Sequence, residues 1–132
     1  MSTAGLLDTS IFIASETGRA LNTSDLPDDM FVSVITSAEL QLGVLAAVEI
    51  QTRALRLATV NSIAHLELLP VDREAAARWA ELRVRLARAG RKMNVNDLWI
   101  AAIAAANDLS VVTQDADFEA IESIGGPAVL RV

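Results

Sequence analysis

Short apolar runs of strand length alternate with longer stretches of helical periodicity along the whole chain, and few architectures accommodate that rhythm. Strand-like runs fall at residues 4–7, 31–35, 66–69, 109–113 and 128–132. Helical patterns fill about 37–48, 50–64, 73–89 and 96–107, with shorter ones near 10–15 and 116–122. Leu82, Leu86 and Ala89 share one face of the pattern at 73–89, as Leu98, Ala102 and Ala105 do in that at 96–107. Cap residues stand where such helices should start and stop: Thr36, Asp72 and Asn94 or Asn96 before three of them, Gly90 after the pattern at 73–89. Strands alternating with helices imply a parallel sheet covered on both faces, an α/β fold. In such sheets the functional site lies beyond the carboxyl ends of the strands.

Composition narrows the chemistry. A chain of 132 residues, 52% hydrophobic and 21% charged, reads as a single globular domain over 1–132 with a core of its own. Zero cysteines exclude disulfides, thiolate catalysis and Cys-based zinc sites, and suit a reducing cytoplasm. The first residues show no basic, apolar leader, and the longest apolar run, 98–106, is about half of the ~20 residues that span a bilayer. A cytoplasmic protein with no membrane partner is expected. The net charge of −6 argues mildly against a nucleic-acid partner. Against that, Arg78, Arg83, Arg85, Arg88, Arg91 and Lys92 crowd into a segment whose only acid is Glu81. That segment reads either as a solvated helix face or as a ribbon steering phosphates.

The expected carboxyl edge of the sheet collects acids. Asp8 follows the first strand in Leu-Leu-Asp-Thr-Ser, and Glu39 lies on the first turn of the helix after the second. Asp97 opens the helix Asn-Asp-Leu-Trp-Ile-Ala-Ala, and Asp115 follows the fourth strand, with Asp117 two residues on. Two carboxylates about 5 Å apart repel by roughly 3 kcal/mol at an effective dielectric of 20, so such a group destabilises the fold unless a cation joins it. Oxygen ligands without His or Cys suit hard ions, Mg²⁺ or Mn²⁺. Each acid also has a purely local reading. Thr36-Ser-Ala-Glu39 and Asn94-Val-Asn-Asp97 spell capping boxes, and Asp115 could cap the short helix after it. Asp8 alone has no obvious local partner. Small residues at Gly43, Ala101 and Ala104 would let the acid-bearing helices approach the sheet closely.

The ordered set Leu-Leu-Asp8-Thr-Ser, Ser37-Ala-Glu39-Leu-Gln-Leu-Gly43, Asn96-Asp97-Leu-Trp-Ile-Ala-Ala and Val-Val-Thr113-Gln-Asp115-Ala-Asp117-Phe118 resembles the PIN domain of VapC toxins. The motifs span residues 6–118; between roughly 49 and 93 only the helical layout supports the likeness. The resemblance implies a three-layer α/β/α fold with a mostly parallel sheet. It also implies an endoribonuclease, the toxin of a type II toxin–antitoxin pair, cutting tRNA or rRNA to inhibit translation. Asp8, Glu39, Asp97 and Asp115 would be its catalytic, metal-binding quartet for one or two Mg²⁺ or Mn²⁺ ions. Thr113 would support the site by hydrogen bonding, with Asp117 a further accessory candidate. A homodimer and a cognate VapB-type antitoxin, whose C-terminal segment wraps the toxin and blocks the cleft, are implied as partners.

Absences point the same way. The one histidine, His65, lies away from every motif and reads as surface, and there is no tyrosine. The glycines form neither a P-loop nor a dinucleotide fingerprint. What remains is metal-assisted hydrolysis by water, leaving a 5′-phosphate and a 3′-hydroxyl. Two rivals stand beside it. A receiver-like phosphoacceptor module would want a lysine after the last strand, but the only lysine is Lys92. A catalytically idle PIN-like scaffold would be expected to have lost some of the acids.

Overall fold

The computed structural model describes residues 3–132. Five strands form one wholly parallel sheet: β1 (Ala4–Leu7), β2 (Asp29–Ser33), β3 (Leu68–Leu69), β4 (Ser110–Thr113) and β5 (Val129–Arg131), in the order β3-β2-β1-β4-β5. The helices are α1 (Thr9–Thr17), α2 (Val34–Ala46), α3 (Ile50–Ser62), α4 (Arg73–Arg88), α5 (Val95–Ala106) and α6 (Glu119–Ser123). Short 3₁₀ turns occupy Thr23–Asp25 and Ala116–Phe118.

Strand pleating explains the three layers. Leu6, Val111 and Val129 belong to a cluster with Leu82, Leu86, Leu98 and Phe118, the side covered by α4, α5 and α6. Their neighbours Leu7, Val112 and Leu130 join Ile11 and Phe12 of α1 on the other face. Successive residues of a strand point to opposite faces, so adjacent positions buried on both, Leu6 with Leu7 and Val111 with Val112, are apolar. Close approach of β1 to β4 needs Gly5, where a Cβ would lie 2.6 Å from Val112 Cγ2.

The order of strands places the site. From β1 the chain moves outward to β2 and β3, then crosses back to β4 and β5 on the opposite side. The carboxyl ends of β1 and β4 therefore flank a topological switch point, where open α/β sheets leave a crevice.

Two expectations about element ends are corrected, and one left open is settled. The second strand runs over Asp29–Ser33, not 31–35, because α2 already begins at Val34. Its cap is Ser33, whose Oγ accepts the Thr36 N–H at 3.2 Å, so Thr36 lies inside the helix rather than before it. Between the two candidates for α5, Asn94 is the cap and Asn96 is not. Asp72 caps α4 as expected, and Gly90 follows its end in a left-handed conformation (φ 67°). His65 is exposed in the turn after α3.

Candidate metal centre

β1 delivers Asp8 to the switch point. α1 starts at Thr9, one residue earlier than its apolar period suggests, so Asp8 becomes its N-cap and accepts the Ser10 N–H at 3.3 Å. The expectation that Asp8 has no local partner is thereby corrected. Only 3% of Asp8 is exposed, and its other support comes from β4, where the buried Thr113 hydroxyl donates to Oδ2 at 2.9 Å. A hydroxyl has one proton and two lone pairs, which orders the rest of the network. Thr113 Oγ1 spends its proton on Asp8, so it accepts from the Asp115 N–H at 2.8 Å and from the Ser10 hydroxyl at 3.1 Å. Ser10 Oγ in turn accepts the Gln114 N–H at 3.0 Å.

Glu39 is braced in the same way from α1. Because α2 begins at Val34, Glu39 sits on its second turn rather than its first, and no capping box forms with Thr36. Its Oε1 accepts the Thr9 hydroxyl at 2.7 Å, and the buried Thr36 hydroxyl, 3.1 Å from Thr9 Oγ1, donates to it. Gly43, one turn on, does not serve helix–sheet contact. A Cβ there would meet only Arg56 of α3, at an ordinary 3.6 Å, and the Arg56 guanidinium bonds the Gly43 carbonyl at 2.7 Å. Ala101 and Ala104 are fully buried in α5, as close packing requires.

Asp97, Asp115 and Asp117 each place one carboxylate oxygen within 4.8 Å of the others. Asp115 does cap the 3₁₀ turn, accepting the Asp117 N–H at 2.9 Å, so its local and chemical readings coexist. Asp97 differs. Asn94 caps α5, and among the described residues the Asp97 carboxylate accepts no hydrogen bond. Its pKa is raised from 3.8 to about 7, first by burial, then by the charges of Asp8, Asp115, Glu39 and Asp117. All the acids singled out thus act on one point.

Among the described residues the buried polar side chains are Asp8, Thr9, Ser33, Thr36 and Thr113, and all but the α2 cap Ser33 belong to the hydrogen-bond networks of Asp8 and Glu39. The ion pairs among the described residues, Arg78 with Glu74 and Glu81, and Arg131 with Glu119, leave the five acids without a cationic partner. Clustered, braced and uncompensated oxygen donors fit a hard divalent ion. Thr9, Ser10 and Thr36 were invisible as braces in the sequence. The only hint is the pair of hydroxyls directly after Asp8.

A parallel sheet with an acid cluster at its switch point describes a PIN domain: that family's model matches residues 5–124, and the chain belongs to the family, on its VapC branch. It is similar to Ribonuclease VapC5 of Mycobacterium tuberculosis, 52% identical over 129 residues, 98% of this chain and 96% of that one. Ribonuclease VapC4 of the same organism is 37% identical over 119 residues, covering 90% and 92% of the two chains. The crystal structure of VapBC-5 from M. tuberculosis, a member of the VapBC family of toxin–antitoxin systems, superposes with a TM-score of 0.92 at 49% identity over 98% of this chain and 99% of that one. Among the described residues no helix is long and apolar enough to cross a membrane.

Proposed function

We propose that this protein is a divalent-metal-dependent endoribonuclease, the toxin of a type II toxin–antitoxin pair, which hydrolyses tRNA or rRNA and so inhibits translation. One observation carries the reading: Asp97, Asp115 and Asp117 lie within 4.8 Å of one another at the switch point, the hydroxyl-braced Asp8 and Glu39 act on Asp97 beside them, and among the described residues none of the five has a cationic partner. Asp8, Glu39, Asp97 and Asp115 would hold Mg²⁺ or Mn²⁺, with Asp117 close enough to join them. When bound, such an ion supplies neutralising charge, a Lewis acid for the phosphate and an acidified attacking water. Thr113 and Ser10 orient Asp8, and Thr9 with Thr36 orients Glu39, so neither must be reorganised when substrate arrives. Asp97 accepts no hydrogen bond among the described residues, and its pKa of about 7 means that a bound cation would displace its proton near neutrality.

The relatives' VapBC assignment supports an antitoxin partner, and the surface offers it a seat. A groove of about 510 Å³ between α1, α2 and α3 is lined by Ile13, Leu40, Leu42 and Leu55, with Glu39 and Asn96 also on its wall. Leu45, Val48 and Ile50 continue this apolar surface in the open. A homodimer belongs to the same reading, supported by the exposed stripe Ala76, Ala80 and Val84 on α4. The test is cleavage of purified tRNA and rRNA with Mg²⁺ or Mn²⁺. The expected result is cutting that yields 5′-phosphate and 3′-hydroxyl ends, stops with chelator and is lost in Asp97→Asn. Cleavage undiminished by both treatments overturns the reading.

A further inference from the structure

Beside the acid cluster lies a second cavity, of about 310 Å³, between the α4–α5 turn and the chain that follows β4. Arg91, Lys92 and Asn94 form one wall, Ala116, Asp117 and Ala120 the other. Asp117 belongs to both sites, since its carboxylate also lies within 4.8 Å of those of Asp97 and Asp115. The cavity therefore opens directly alongside the candidate metal centre.

Its cations are placed rather than trailing. Gly90, at φ 67°, reverses the chain after α4, and the Arg91 N–H bonds back to the Leu86 carbonyl at 2.9 Å. Two residues beyond Lys92, Asn94 caps α5 through the Asn96 N–H at 2.9 Å, so both ends of the turn are tied. Arg91 and Lys92 are exposed, and among the described residues neither forms an ion pair, although the chain has 17 acids for 11 bases. Arg78, on the same basic segment, is paired twice. Both side chains are open to solvent and line the same cavity as Asp117, so an anion that enters it beside the acid cluster meets two cations.

We infer that this cavity binds an RNA backbone phosphate adjacent to the one being cleaved, with Arg91 and Lys92 as its counter-charges. The inference rests on the nuclease reading and extends it to how substrate is held. An acidic centre in a chain of net charge −6 repels a phosphodiester at the distance of approach. Two cations within a Debye length of about 10 Å reverse that field locally and fix the strand's register. Arg91 and Lys92 are positioning residues and touch no reacting atom.

The experiment measures binding of a single-stranded RNA to the cleavage-dead Asp97→Asn protein across a range of salt, in Mg²⁺. Removing both charges, Arg91→Ala with Lys92→Ala, should weaken binding and flatten the dependence of log affinity on log salt by about 0.7, the value for one phosphate charge left unneutralised on a single strand. The exchanged pair, Arg91→Lys with Lys92→Arg, should keep the original slope. In the cleavage-competent parent the same alanine pair should raise KM and leave kcat unchanged, and Mn²⁺ affinity should not move. An unchanged slope overturns the inference, as does an exchanged pair that weakens binding as much as the alanine pair. The nuclease reading is judged separately: a parent that leaves RNA uncut refutes that reading even if the slope falls as expected.

Discussion

Asp97 holds its carboxyl among four other acids with no hydrogen bond to stabilise the charge, and burial adds to the cost. Its pKa stands at about 7 in the folded, metal-free protein against 3.8 ordinarily, so between those values the native state binds a proton that the unfolded chain has released. A raised folded pKa means stability that is complete below the unfolded value and is lost as pH rises through the folded one. The melting temperature of chelated protein should therefore fall as pH rises from 4 to 7, and Asp97→Asn should flatten this decline. Parallel melts of the two proteins decide it; equal slopes would show that the crowding is relieved elsewhere. Thr113 makes the opposite kind of contribution. Thr113→Val keeps the shape but strands Asp8, the Asp115 N–H and the Ser10 hydroxyl together. The expected cost is about 1–3 kcal/mol in denaturant unfolding, with Mn²⁺ affinity reduced about 10- to 100-fold in calorimetry. The acids could be read as a group because they fall at strand ends and near helix starts, which a parallel sheet brings to one edge. The hydroxyl braces could not, because Thr9 meets Glu39 across 30 residues of sequence and Thr113 meets Asp8 across 105.

The turn from β2 into α2 decides where Glu39 points. Val34 and Ile35 are β-branched and read as the end of a strand, yet they form the first turn of the helix. The Ser33 side chain tips that balance by satisfying the Thr36 N–H, a donor the first turn would otherwise leave bare. Ser33→Ala should cost about 1 kcal/mol of stability, measurable by urea unfolding, and should disturb the Glu39–Thr9 hydrogen bond through fraying of α2. No loss of stability would mean that β2 pairing, not the cap, holds this junction. Elements with strong signals were readable to within a few residues: β1 falls where its apolar run does, and α4 lies between Asp72 and Gly90 as its caps indicate. β3 shrank to Leu68–Leu69, because at the sheet edge pairing with Val32 and Ser33 supports only that much strand.

Over the whole molecule the alternation of apolar runs announced a parallel sheet, but not which strand stands beside which. The order β3-β2-β1-β4-β5 comes from crossovers that only the folded chain reveals. That order is what brings Asp8 and Asp115 to one crevice. Metal binding should report on the assembled site. A ligand at 100 times its Kd stabilises the native state by about 2.7 kcal/mol, and the Asp97 proton must leave before that carboxylate can ligate. Saturating Mn²⁺ should therefore raise the melting temperature more at pH 8 than at pH 5.5, with about one proton released per ion bound at pH 6 and about half a proton at pH 7. Stabilisation that ignores pH would place the ion away from Asp97.

The pairing of β1 with β4 also has a temporal side. The acids that gather at the crevice are drawn from residues 8–117, and the hydroxyl that ties Asp8 in place arrives with Thr113 at the end of β4. During synthesis from the amino terminus, Asp8 and Glu39 emerge early, together with Thr9 and Thr36, which brace Glu39 in the folded chain. They wait, without Asp115 or Asp117, until the fourth strand has been made and has found the first. A growing chain therefore carries the parts of the centre long before it possesses one.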